Sequence, residues 1–202
     1  MVRTVDQSQV KVNYDERRST MENKVVKELL SWLKALLVAV IIVLLCRHFL
    51  ITPSVVKGES MMPNLENGDR IILSKISSID RFDEIAFKAP DSNDNYVKRI
   101  IGFPGDTIEM KDDNLYINGK LYEETYLDDS KAALSDGQKL TNDFTLKELT
   151  GKEQVPEGKI FVLGDNRRVS KDSREFGFVD EDAVIGDVKM RIWPIESFGI
   201  IK

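Results

Sequence analysis

Polar and apolar residues change rhythm twice along this chain. The first 34 residues mix charge with scattered aliphatics, and Ala35 to Cys46 (ALLVAVIIVLLC) is then uninterruptedly apolar. Taken alone this run is too short to cross a bilayer, which needs about 20 residues. Extended to Leu29–Ile51 it has Lys34 near one end and Arg47 and His48 near the other. Long basic side chains near helix ends reach back to the interface, and Trp32 and Phe49 stand where interfacial aromatics stand. A cleaved secretory signal and a buried core helix are the competing readings. The long polar N-region and the absence of Ala-x-Ala after the core argue against the signal. The expectation is a transmembrane helix over 29–51.

Beyond the apolar run the period shortens to that of strands. Arg70–Ile76, Glu84–Ala89, Tyr96–Ile101 and Lys159–Leu163 are short and rich in β-branched or aromatic residues. Turn residues bound them at Asn67-Gly68-Asp69, Phe103-Pro104-Gly105-Asp106 and Gly164-Asp165-Asn166. Asn118-Gly119, between Asn114–Ile117 and Lys120–Tyr122, is a two-residue hairpin signal. Ala183–Trp193 reads as a further strand or bent strand pair, with Gly186 as a candidate bulge. Residues 123–158 are polar and poorly periodic, an excursion from the main sheet. The pattern predicts a mainly β domain behind one N-terminal helix.

Charge and composition narrow the chemistry. Residues 1–51 carry eight Lys/Arg and five Asp/Glu, residues 52–202 carry 21 and 29. The positive-inside tendency then puts a tail of residues 1–28, with Arg17, Arg18, Lys24 and Lys27, in the cytoplasm and residues 52–202 outside the cell membrane. The acidic larger part lacks the basic footprint of a nucleic-acid binder. A single cysteine, Cys46, excludes internal disulfides and CxxC frameworks, and its place in the apolar run makes it a poor nucleophile. One histidine, His48, cannot supply a typical zinc set or most His-dependent hydrolase designs. Asp112-Asp113 reads as a solvated hairpin turn rather than a metal loop.

Serine remains as a nucleophile, and without a placed histidine its base must be lysine, with an amine desolvated enough to be neutral. Two segments qualify. In Pro53–Leu65 (PSVVKGESMMPNL), Ser60 lies between Gly58 and Pro63 in an apolar neighbourhood. In Asn95–Asp106 (NYVKRIIGFPGD), Tyr96, Lys98 and Ile100 share one face of a strand and Val97, Arg99 and Ile101 the other. Periodicity alone leaves open which cation points inward, and a loop serine beside an edge-strand lysine fits the same pattern.

At these residues the chain resembles the type I (leader) signal peptidases, in their single-anchor, Gram-positive-type bacterial form. The resemblance covers roughly residues 30–194 and rests on four ordered blocks behind the anchor. They are Gly58-Glu59-Ser60-Met61-Met62-Pro63, Gly68-Asp69-Arg70-Ile71-Ile72, Tyr96 to Asp106, and Gly164-Asp165-Asn166-Arg167-Arg168-Val169-Ser170-Lys171-Asp172-Ser173-Arg174. It implies Ser60 as nucleophile and Lys98 as general base, with Ser170 bonding and orienting the lysine amine. Asp172 and Arg174 would hold the site by ion pairing, and Arg99 and Asp165 would support it. Gly58 stands where Gram-negative-type relatives carry a serine that donates to the oxyanion. Asn64 replaces the usual Thr, and Val169 replaces the Asn of many relatives.

The resemblance further implies a coiled antiparallel β core over about 52–106 and 159–202, with an inserted smaller portion over about 107–158. The implied activity is a membrane-bound serine endopeptidase that removes signal peptides from secreted preproteins after small-x-small (Ala-x-Ala) sites through an acyl-enzyme. No metal or organic cofactor is required, and the implied partners are secreted preproteins, the lipid bilayer and the protein-export machinery. Two other classes fit parts of the pattern: a non-catalytic anchored β module that binds secreted proteins, and a self-cleaving Ser–Lys protein of the regulatory repressor kind.

Overall fold

The computed structural model describes residues 7–201, and in the first helix the side chains of residue 24 and of residues 26 onward. The expectations that involve Arg17, Arg18 and the first six residues of the tail lie outside the described residues. The chain divides into two compact units, Met1–His48 and Phe49–Lys202. The first is dominated by α1 (Gln7–Phe49). Within this helix, Val26–Phe49 is long and apolar enough to cross a membrane by length and composition. Its Leu36, Leu37 and Val43 side chains are exposed.

Among the described residues the second unit holds twelve antiparallel strands. They are β1 (Ile51–Val55), β2 (Arg70–Ser74), β3 (Glu84–Lys88), β4 (Asn95–Gly102), β5 (Ile108–Lys111), β6 (Asn114–Ile117), β7 (Lys120–Tyr122), β8 (Phe144–Thr145), β9 (Lys159–Leu163), β10 (Val179–Asp180), β11 (Val184–Trp193) and β12 (Gly199–Ile200). Eight of them form a curled main sheet in the order β1-β2-β11-β3-β4-β9-β10, with β12 on the side of β11. The remaining four form a second sheet, β7-β6-β5-β8. β1 was not expected from the pattern: ITPSV contains a proline, which a strand tolerates at a sheet edge, where β1 lies.

β11 lets the main sheet curl. Its first residues pair with β3 and its later ones with β2, and the register slips between Val184 and Gly186 and again between Val188 and Met190. Bulges of this kind bend a strand and increase its twist. Gly186 is also a contact point, because a Cβ there would lie 2.5 Å from the Ser74 carbonyl oxygen.

The tight turns follow the sequence signals. Asn118 and Gly119 both adopt positive φ (55° and 74°), the combination that joins antiparallel strands with their natural twist. Asp112 and Asp113 do the same between β5 and β6. Asp113 has a further use: its carboxylate accepts from the N–H groups of Leu140 and Thr141 and ties the excursion down. That excursion holds α2 (Asp128–Ala132), β8 and α3 (Leu146–Thr150). α3 opens on a Thr145/Glu148 capping box and closes on Gly151 at φ 73°. Elements of two to five residues are too short to show a period, which is why the sequence there reads as irregular.

Three apolar clusters fill the unit. Val56, Met61, Leu65, Ile71, Leu73, Ala86 and Val188 pack under the loop between β1 and β2. Ile85, Phe87, Ile100, Ile160, Val162 and Val179 form the middle. Ile101, Phe161 and Leu163 join the main sheet to Ile108, Met110, Leu115, Ile117 and Phe144 of the second sheet. β4 therefore has apolar neighbours on both faces. Gly186→Ala should strain the β2–β11 approach and lower stability by about 1–3 kcal/mol, read as an earlier midpoint in chemical denaturation of the whole chain.

Candidate active site

The loop between β1 and β2 carries Ser60. Met61 and Leu65, both almost wholly buried, fasten it to the core. β4 carries Lys98 in register opposite Ile85 of β3. The fold brings these two side chains together: Lys98 Nζ and Ser60 Oγ are 2.6 Å apart. With the amine charged, Nζ donates to Oγ; with it neutral, the hydroxyl donates to Nζ. Lys98 is only 3% exposed. Burial lowers its pKa to about 8, against the opposing pull of Asp172 and Asp165. A lysine in that position can exist as a neutral amine near physiological pH and take a proton from the hydroxyl it touches.

Arg99, the next residue, points to the opposite face and is buried as well. Its guanidinium meets Asp165 through Nε at 2.9 Å and Nη2 at 2.6 Å. It also donates to Glu84 Oε1 at 2.5 Å and to the Phe82 carbonyl at 2.6 Å. The Tyr126 ring covers it with its centroid 4.1 Å away. Glu84 lies opposite Arg99 in the β3–β4 pairing. Burial pushes the Glu84 carboxyl up to about 7 even with Arg99 beside it, and Glu84 Oε2 has no hydrogen-bond partner among the described residues.

The segment after β9 closes the arrangement. Gly164 has no Cβ, and one placed there would lie 2.5 Å from the Ser60 carbonyl oxygen and 2.1 Å from Ser170 Oγ. Asp165 accepts from Asn64 Nδ2 at 2.7 Å as well as from Arg99. Asn64 Nδ2 also donates to the Tyr126 carbonyl at 3.0 Å. Asp172 caps α4 (Ser173–Phe176), accepts from Gly164 N–H at 3.0 Å, and is gripped by Arg174 through Nε and Nη2, both at 2.8 Å. Ser173 Oγ accepts from Val162 N–H. Ser170 Oγ is buried beside Gly164 with no hydrogen-bond partner among the described residues. The Lys98–Ser170 bond implied by the resemblance is not made in this arrangement. Val169, by contrast, is exposed, so its side chain does not pack next to Ser170 in the interior.

Gly58 sits at φ 87° with open space where a side chain would go, and its N–H donates to Asn67 Oδ1. It borders a groove of about 900 Å³ that runs past Ser60 and Lys98. One bank is Thr52–Gly58 and the other Asn93–Lys98, and Met61, Leu73, Ala86 and Ile185 contribute to the lining. Among the described residues β1 has a strand partner on one side only, and β9 pairs with β4 from Arg99 onward, which leaves an edge of Asn95–Lys98 without a strand partner. Extended backbone with unpaired groups on both banks is what a third extended chain can join.

Sequence reasoning passed over Glu84, Tyr126, Arg167 and Asn166. Glu84 is visible only once the β3–β4 register is known. Arg167 donates to the Gly164 carbonyl at 3.0 Å and is held by Glu124, with Thr141 and the Tyr126 hydroxyl near it. That network joins residues more than 40 apart across a stretch with no readable period. Among the described residues no group of His, Cys, Asp and Glu is arranged to hold a metal ion. Replacing Asp165 by Asn keeps the volume and removes the charge between Arg99 and Asn64. It should cost about 3–5 kcal/mol, measured by urea unfolding against the parent chain.

The comparisons with known proteins converge on one family. The family model described as "Signal peptidase, peptidase S26" matches residues 29–193. Signal peptidase I of Bacillus caldolyticus is 52% identical over 165 residues, which are 80% of this chain and 90% of that one. Signal peptidase IB of Staphylococcus aureus is 42% identical over 180 residues, 85% and 93% of the two chains. The crystal structure of a signal peptidase I from Enterococcus faecalis V583 superposes with a TM-score of 0.54 at 49% identity, over 56% of this chain and 98% of that one. Three of the sequence blocks line one groove here and the fourth is bonded to the Ser60 loop and to Arg99, and relatives at this level of identity span nearly their whole length. This chain therefore belongs to the signal peptidase family, peptidase S26.

Proposed function

We propose that this protein is a membrane-anchored endopeptidase that removes signal peptides from secreted preproteins, with Ser60 as nucleophile and Lys98 as general base. The observation that carries the reading is the 2.6 Å approach of a buried, pKa-lowered Lys98 amine to Ser60 Oγ. An exposed lysine would be charged and useless as a base. A buried one beside a serine, at the floor of a groove, has the chemistry of acyl transfer.

In this reading the preprotein lies extended in the groove and adds main-chain hydrogen bonds to the free edge of Asn95–Lys98 and to the Thr52–Gly58 bank. The apolar lining from Met61, Leu73, Ala86 and Ile185 offers shallow pockets that suit small side chains before the cut and exclude large ones by contact. Neutral Lys98 takes the Ser60 proton as Oγ attacks the scissile carbonyl, and it returns that proton to the leaving amine. The same amine then draws a proton from water, which attacks the acyl-enzyme. Asp165 with Arg99, and Asp172 with Arg174, support the reading as the ion pairs that fix the surrounding backbone. Ser170, buried alongside, is proposed as the hydroxyl that steadies the amine during turnover.

The exposed apolar surface of Val26–Phe49 supports a single bilayer span, and the positive-inside tendency favours the N-terminal tail in the cytoplasm and the β unit outside. The non-catalytic and self-cleaving alternatives make a different prediction for an added preprotein, since neither cleaves it in trans.

Ser60→Ala and Lys98→Arg should each abolish cleavage of a preprotein with an Ala-x-Ala site, read by mass spectrometry with the full chain in detergent. Guanidinium stays charged, so Lys98→Arg cannot substitute as a base. Substantial activity in that variant would remove Lys98 from the mechanism. The lowered lysine pKa also fixes a pH profile. The active amine is the deprotonated form, so kcat/KM should rise about tenfold per pH unit on the acid side and level off above about 8. A profile flat from pH 6 to 9 contradicts the assignment.

A further inference from the structure

The two peptide groups flanking Ser60 are both held by one residue. Asn166 Nδ2 donates to the Glu59 carbonyl at 3.1 Å, and the Asn166 N–H donates to the Ser60 carbonyl at 3.0 Å. The second contact is possible because Gly164, two residues earlier, leaves the Ser60 carbonyl room. The loop that carries Asn166 is itself tied down on both sides. Its neighbours Asp165 and Arg167 are buried and fastened to Arg99 and Glu124.

The first contact has a geometric result. The Glu59–Ser60 peptide is trans, since the cis bonds are Met62–Pro63 and Trp193–Pro194. A planar trans peptide points its C=O and its N–H in opposite directions. The Glu59 carbonyl accepts from the Met62 N–H at 3.1 Å as well as from Asn166, and a carbonyl held by both aims the Ser60 N–H away from both donors. Gly58 and Ser60 line the groove and Asn166 does not, so an N–H turned from Asn166 belongs to a residue that borders the groove. Among the described residues the Ser60 N–H donates to no group. Gly58 has no side chain to help, and its own N–H is taken by Asn67.

We propose that Asn166 is a positioning residue that orients the Glu59–Ser60 peptide so that the Ser60 N–H receives the oxyanion formed during acyl transfer. This rests on the reading of Ser60 as nucleophile. Asn166 touches no reacting atom. It acts through one peptide plane, and its amide suits the task because the task is to donate to a carbonyl without adding charge. A carboxylate in the same place would repel the Glu59 carbonyl and leave the plane to the Met62 N–H alone.

The test uses the full chain in detergent, with Asn166→Ala and the nearly isosteric Asn166→Asp beside the parent. The readouts are kcat, KM and inhibition by a peptide aldehyde ending in Ala-x-Ala. In that adduct Ser60 Oγ bonds to the aldehyde carbon, the serine proton passes to Lys98, and the former carbonyl oxygen becomes the oxyanion. Direct loss of an oxyanion donor typically lowers kcat by about 10²–10³, and loss of its alignment should lower kcat by roughly 10–100-fold. KM should change by less than about twofold, and aldehyde affinity should fall by the same factor as kcat/KM. Ser60→Ala and the Ser60→Ala/Asn166→Ala double variant should bind uncut preprotein equally well. A normal kcat in both variants, or a reduced kcat with undiminished aldehyde affinity, overturns the proposal.

A measurement on the unaltered protein serves if the variants melt too early to assay. The Ser60 amide proton should move downfield and become protected from exchange when the aldehyde adduct forms. An unprotected Ser60 amide in the adduct overturns the proposal equally. Failure of the parent chain to cleave preprotein or take up aldehyde would instead count against the peptidase reading itself.

Discussion

Two adjacent cations on one strand must have opposite fates, and the rest of the structure follows from that constraint. Lys98 is proposed to work as a neutral amine, whereas Arg99 keeps its charge under all ordinary conditions. Alternation along β4 sends them to opposite faces. On one face, burial without a bonded acid lets the lysine lose its proton. On the other, Asp165 and Glu84 surround the guanidinium, and Phe82 and Tyr126 complete its enclosure. Asp165 sits where it neutralises the arginine, and with Asp172 it acts on the lysine only as an opposing field weaker than burial.

That arginine also serves as the point of registration for the loops. Asp165 is shared between Arg99 and Asn64, so the strand bearing Lys98 and the loop bearing Ser60 refer to a single carboxylate. Asn64 reaches on to the Tyr126 carbonyl, which couples the irregular excursion to the same point. Arg191 of β11 secures the loop from another direction, donating to the Asn64 carbonyl and to Asp69. A distance of 2.6 Å between Ser60 and Lys98 is thus the outcome of several fixed references, rather than of the one hydrogen bond between them.

Much of this was legible in the residues. The strands at 70–76, 84–89, 96–101 and 159–163 announce themselves by β-branched runs between turn residues, and the Asn118-Gly119 hairpin and Gly186 bulge carry their own signals. Elimination led only to a serine with a lysine base and to two candidate segments, because one cysteine in an apolar run and one histidine beside it leave few other ways to activate a nucleophile; the choice of Ser60 and Lys98 came from the resemblance. What could not be read was pairing. Glu84 becomes a partner of Arg99 only through strand register, and the Arg167–Glu124–Tyr126 cluster only through packing of elements too short to have a period. Asn166 sits within a recognisable block, yet its contacts with the Ser60 loop depend on a fold that brings residues 107 apart together. The expected contact between Ser170 and Lys98 came from resemblance alone, and the hydroxyl lies buried without it.

The bonds that shape the Ser60 loop also have an order in time. Glu59 waits for Asn166, 107 residues later, and Asn64 waits for Arg191, 127 residues later. β2 and β3 cannot be joined until β11 is available to lie between them. Closures across such distances come late in folding, after their loop entropy has been overcome. During synthesis, therefore, a chain can already hold its serine and its lysine outside the ribosome and still have no assembled groove. Chain order by itself postpones proteolytic competence until the segment that carries Arg191 and β11 has been made.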